Sequence, residues 1–216
     1  MKIVISLGGS LISLSDLEYL KKFAEFLNKH KDIDFYIVIG GGKTAREYIN
    51  AARRLGAIEK YLDRVGIEVT RLNAMLLNVF FGKRIPHTIK EAGKLSTPVI
   101  MGGTTPGHST DAVAALLSKE VKADMLIIAT DVDGIYDKDP KKYKEAKMFE
   151  KLPIKKLKKM VGEGWKKAGE NVVVDPIACD IIEKERIKTI VINGKNLNQL
   201  ENAIYGKLFK GTEIVV

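Results

Sequence analysis

Three glycine-rich stretches in this chain each follow a short apolar run. They are Gly8-Gly9-Ser10, Gly40-Gly41-Gly42-Lys43 and the loop Gly102-Gly103-Thr104-Thr105-Pro106-Gly107-His108-Ser109. Apolar strand, small-residue loop and helix together aim free backbone N–H groups and the positive end of a helix dipole at an anion. A single cluster would be served as well by a tight turn; three after buried strands point to phosphate-bearing ligands. Lys43 and Arg46 stand at the start of a helix, where cations are unfavourable without an anionic partner. Asp111 opens the helix after the third loop, where Ser109 or Thr110 can cap. An acid there either favours the dipole or orients donors around a transferring phosphoryl group. Asp63 and Arg71 lie eight residues apart near one face of a long helix, so Asp63 suits either a sugar hydroxyl or a surface ion pair. His108 reads as a loop residue rather than a general base, because phosphoryl transfer rests on positioning and charge neutralisation. Neither a P-loop nor a G-x-G-x-x-G fingerprint is present, so a dinucleotide site is unsupported.

These residues need a scaffold that collects loops at one edge. Apolar runs at 2–7, 35–39, 98–101, 125–130 and 189–192 read as strands, with weaker ones at 85–86 and 213–216. Amphipathic spacing predicts helices over 15–28, 44–55, 60–81 (stopped by Gly82), 88–94, from Ser109 through Val121, 154–161, 176–185 and 197–205. Residues 141–164 are lysine-rich, and Asp131–Pro140 is dense in turn residues. Alternating strands and helices imply an α/β fold, a three-layer α/β/α sandwich around a mainly parallel central sheet. Ligands collect at the carboxyl ends of such strands. Four loops there, after Leu7, Ile39, Met101 and Thr130, leave room for two phosphate-bearing molecules. Residues 1–216 read as one domain, with an acceptor-side lobe over about 1–103 and a nucleotide-donor lobe over 104–216.

Composition excludes several classes. The chain has 216 residues, 45% hydrophobic and 29% charged, and no apolar run approaches a membrane span. The start, MKIVISLGGS, lacks the apolar length of a signal peptide and reads as a first strand of a cytoplasmic protein. The formal charge is +9, yet the lysines are dispersed and no aromatics are interleaved to stack bases, so nucleic acid is not the expected partner. Cys179 is the only cysteine and reads as a small core residue, while the three histidines show no ligand spacing. A metal held by the protein itself is not expected.

With the loops placed, the chain resembles the amino acid kinase superfamily and, within it, the uridylate (UMP) kinases of archaeal type. The likeness is carried by Gly8-Gly9-Ser10, GGGKTARxY from Gly40 to Tyr48 and DxxGIxxTRxNAxLL from Asp63 to Leu77. It continues in GGTTPGHSTDAVAALL from Gly102, TDVDGIYDKDPKK from Thr130 and VDPIA from Val174. The GGTxPGHxTDAVAALL and TRxNAxLL blocks are the specific ones. The resemblance implies transfer of the ATP γ-phosphoryl group to UMP, with Mg²⁺ carried by ATP, in a homohexamer. By position, Gly9 and Ser10 would face the ATP phosphates, with Gly42 and Arg46 also on ATP. Gly41 would approach UMP and Asp63 its ribose. Thr104, Thr105, Pro106, Gly107, His108, Ser109 and Thr110 would wrap the UMP phosphate and base. Thr130, Asp131, Tyr136 and Asp139 would form the adenosine pocket.

The chain departs from this pattern in two places. Ser6 stands where most of the superfamily has a lysine bridging donor and acceptor phosphates, and 171–178 offers no second lysine. Lys43, Arg46 and Mg²⁺ are the expected sources of compensating charge, and Lys43 and Asp111 the expected catalytic pair. Asp131 replaces the asparagine usual before Val-Asp-Gly. Isopentenyl phosphate as acceptor would want a histidine in the second glycine loop, where Thr44-Ala45 stands. Carbamate or an acylated amino acid would leave the GGTTPGHST block unexplained. A non-catalytic binding or storage protein of this fold is an alternative that the absent lysine makes plausible.

Overall fold

The computed structural model describes residues 1–162 and 174–216. The stretch searched for a second lysine and the end of the lysine-rich segment fall partly in 163–173, outside the described residues. Strands run as β1 (Lys2–Leu7), β2 (Asp34–Ile39), β3 (Val99–Met101), β4 (Met125–Thr130), β5 (Lys151–Pro153), β6 (Thr189–Asn193) and β7 (Gly211–Val215). Between them lie α1 (Glu18–Lys29), α2 (Gly42–Arg54), α3 (Glu59–Asn78), α4 (Ile89–Ala92), α5 (Thr110–Val121), α6 (Ile154–Val161), α7 (Pro176–Glu185) and α8 (Leu197–Ile204).

The strands form one sheet in the order β3-β2-β1-β4-β6-β7-β5. Every pairing is parallel except β6 with β7. β3, β2 and β1, all before residue 103, make one half; the later strands make the other. Side chains alternate between faces along each strand. Ile3, Ile5, Leu7, Phe35, Ile37, Ile127 and Ile192 meet α1, α8 and the end of α3 through Phe23, Leu77 and Leu200. On the other face Val4, Val38, Leu126, Ile128 and Val191 meet α5, α6 and α7 through Val113, Leu117, Leu157 and Ile182. Both faces are therefore covered, which is why the central strands read as unbroken apolar runs. The three-layer expectation holds.

Local departures have simple causes. Residues 83–87 form no strand; the Asn78 side chain donates to the Lys83 carbonyl at 2.6 Å and accepts from its N–H, folding the chain around the end of α3. β5 went unseen because only its central Leu152 is buried, so three residues carry no periodic signal. α2 begins at Gly42 rather than Thr44, since Gly42 adopts a φ of 63° that brings the turn directly into the helix.

Candidate active site

β3, β2, β1 and β4 are adjacent and parallel, so their carboxyl ends open on one edge. A cavity of about 640 Å³ lies over them. The first loop continues from β1 into a short 3-10 turn, Gly9–Leu11. It presses against the second loop so closely that a Cβ on Gly9 would sit 2.0 Å from the Gly42 backbone nitrogen. Only hydrogen fits between them, and backbone rather than side chains faces the cavity there.

α3 fixes the other loops. Asn73 donates its side-chain amide to the Gly40 carbonyl at 2.8 Å. Thr70 Oγ1 accepts from the Gly103 N–H at 2.7 Å and donates to the Ile67 carbonyl at 2.6 Å. Asp63 Oδ2 accepts from the Gly107 N–H at 2.7 Å, so the acid and the third loop form one wall. Ser109 caps α5 by accepting from Ala112 N–H, leaving the helix's first turn open toward the cavity.

Asp111 sits below that turn, half-buried, and lines the cavity. Ser6 Oγ donates to its Oδ1 at 2.6 Å, and the Asp175 N–H donates to it as well. Burial pushes the Asp111 carboxyl up to about 6 against the Ser6 hydrogen bond, and the nearby Asp175 charge adds to the rise. Asp175 caps α7, accepting from Ala178 N–H at 3.0 Å; its other oxygen is buried with no partner among the described residues. Sequence reasoning passed over Asp175 as a site residue, although Asp-Pro at a helix start marked it as a cap.

The structure brings together most of the expected residues. Gly9, Ser10, Gly42, Arg46, Thr130, Asp131, Tyr136 and Asp139, the residues expected on ATP, all line the cavity. Gly41, Asp63, Thr105, His108, Ser109 and Thr110, the residues expected on UMP, line it too, and Nδ1 of His108 is buried with no partner among the described residues. Thr104, Pro106 and Gly107 belong to the same loop but do not form the wall, Gly107 acting instead through its N–H to Asp63. Arg71 turns away from Asp63 to Glu68, 2.8 Å distant. Lys43 stands apart from them. It is 85% exposed, shares the outward face of α2 with Glu47 at 3.7 Å, and lies outside the cavity that Ala45, Arg46 and Ile49 line. Two lysines that sequence reasoning did not single out, Lys138 and Lys141, line it instead.

This fold, with glycine loops gathered at the strand ends, defines a phosphotransferase-like α/β protein. The family model described as the amino acid kinase family matches residues 1–193, and the chain belongs to that family. Among curated relatives, a uridylate kinase of Methanocaldococcus jannaschii is 43% identical, covering 98% of this chain and 100% of that one. A uridylate kinase of Archaeoglobus fulgidus is 47% identical over 90% of this chain and 91% of its own. The crystal structure of uridylate kinase from A. fulgidus superposes with a TM-score of 0.88 at 44% identity, covering all of both chains.

Proposed function

We infer that this chain is an ATP-dependent UMP kinase, transferring the γ-phosphoryl group of ATP to UMP to give UDP and ADP. The observation that carries the reading is the single cavity in which the acceptor wall, Asp63 joined to the Gly107 N–H, faces the Gly9–Gly42 contact across the strand ends. In this reading the loop N–H groups and the start of α5 hold the UMP phosphate, and Asp63 addresses the ribose. The close-pressed glycine loops bring the donor phosphates against the backbone, in line with the acceptor oxygen. Transfer is direct, because positioning and charge neutralisation suffice and no nucleophilic side chain is needed.

Mg²⁺ would arrive with ATP and supply charge neutralisation to the triphosphate. The residues fit such a carried ion: Asp111, Asp131 and Asp139 line the cavity, and no three His, Cys, Asp or Glu side chains converge to cage a metal among the described residues. We further propose a homo-oligomer, the hexamer that the resemblance implies. Leu72, Met75 and Val79, spaced along the outer side of α3 and just past its end, are exposed together with Phe80, an apolar stripe that a second copy would cover. No helix among the described residues is long and apolar enough to cross a membrane. The cytoplasm is the proposed location.

Coupled detection of ADP release tests the function. UMP should elicit ADP formation from ATP well above the rate without acceptor. Release with isopentenyl phosphate, carbamate or an acylated amino acid but not with UMP would overturn it.

A further inference from the structure

The donor half lacks a cation at the place where the sequence first suggests looking. The Ser6 hydroxyl is committed to Asp111, and Asp175 adds a buried carboxyl beside it. A triphosphate entering above two acids requires positive charge from another wall. Among the described residues lining the cavity, the cationic side chains are Arg46, Lys138 and Lys141. Lys138 is drawn aside, its Nζ 3.0 Å from Glu145 and over the Tyr143 ring.

Lys141 is held differently. Its backbone N–H donates to Asp139 Oδ1 at 2.9 Å, inside a turn closed by Lys142 and Tyr143 N–H groups donating to the Asp139 carbonyl. Its ammonium lies 2.5 Å from Oδ2 of Asp131, the residue that directly follows β4 at the cavity edge. Asp131 is the less exposed partner, 24% against 60% for Lys141. Burial opposes ionisation of Asp131, but the Lys141 contact outweighs it and holds the carboxyl below its usual range.

We propose that Lys141 is a cation that binds the donor polyphosphate, and that Asp131 is the positioning residue that holds the ammonium at the cavity before ATP arrives. An ammonium carries three donors, so one spent on Asp131 leaves two for phosphate oxygens. A long lysine otherwise loses rotamer freedom when it is fixed. Anchoring both ends of the side chain in advance reduces what ATP binding must supply. An ammonium is also a compact, strongly hydrated point charge, suited to phosphate rather than to a neutral base.

The inference rests on the phosphotransfer reading, so its test combines binding with turnover. In the full chain, Lys141→Met should weaken ATP binding by about tenfold or more in calorimetry and leave adenosine binding unchanged, since the lost contact is to phosphate. The KM for ATP should rise by a similar factor while the KM for UMP stays put, and Lys141→Arg should recover most of the loss. Asp131→Asn should raise the KM for ATP by a smaller factor with kcat nearly unchanged. Equal weakening of ATP and adenosine, or of neither, would overturn the assignment. If the wild-type chain forms no ADP with UMP but Lys141→Met still loses ATP and keeps adenosine, the acceptor reading fails and the role of Lys141 stands.

Discussion

Ser6 Oγ lies 2.6 Å from Asp111 Oδ1, which joins the end of β1 to the first turn of α5 beneath the cavity. A serine where relatives in the superfamily carry a lysine therefore does not leave a void. Its hydroxyl stabilises the charged form of a half-buried acid, and the positive charge for transfer has to come from the cavity's other walls.

Asp111 makes stability depend on pH. Its carboxyl is raised to about 6 in the folded chain, so the folded state holds the proton more tightly than an unfolded aspartate does. That contribution is fully present below about pH 4 and is lost as pH rises through about 6. Two units correspond to about 3 kcal/mol. Asp111→Asn, which keeps the size and an acceptor for Ser6, should therefore stabilise the protein against thermal unfolding at pH 8 by about 1–3 kcal/mol, with the difference fading at pH 4. A difference that is the same at both pH values would mean that burial of this charge costs little.

The Gly9–Gly42 approach predicts a steep penalty for a single methyl group. Gly9→Ala would put a Cβ 2.0 Å from the Gly42 nitrogen, and backbone rather than a pliable side chain would have to move. The variant should lose about 1–3 kcal/mol of stability, the usual cost of overpacking, and show a KM for ATP raised more than tenfold. Wild-type ATP kinetics in that variant would show that the two loops can part freely.

Asp63 should act on the acceptor alone. Asp63→Ala removes both the support of the Gly107 N–H and the proposed ribose contact. A hydrogen bond to a charged group contributes about 1.5–3 kcal/mol, so the KM for UMP should rise at least tenfold while the KM for ATP changes little. A rise in both would place Asp63 in the scaffold shared by the two substrates.

Lys43 separates the sequence expectation from the structure. The residue points to solvent and makes an exposed i,i+4 pair with Glu47, an arrangement contributing about 0.3–0.5 kcal/mol. Lys43→Ala should leave kcat and the KM for ATP within about twofold. A tenfold fall in kcat would return Lys43 to the chemistry.

Much of the fold was legible because the buried strands β1, β2 and β4 are dominated by apolar residues, and β1 and β2 run directly into glycine. The third loop announced its helix through Ser109, a cap whose chemistry is local. Short or edge elements gave no such signal: β5 buries one side chain, and the 83–87 segment is shaped by the Asn78 side chain rather than by its own pattern. In the site, backbone-dominated loops were found from glycine alone, whereas of the two expected cations Arg46 lines the cavity and Lys43 does not. Whether a lysine faces a cavity depends on where its helix starts and what its neighbour on the same face is. Lys43 meets Glu47; Lys141, nearly a hundred residues on, meets Asp131. Asp175 was hidden for a similar reason, since its link to Asp111 is a tertiary contact through its own N–H.

The most direct test of the central claim is the identity and ratio of products. Wild-type protein with ATP, Mg²⁺ and UMP, resolved by chromatography over the course of the reaction, should yield UDP and ADP in equal amounts. ADP accumulating without UDP, or UMP remaining unchanged while ATP is consumed, would contradict the account.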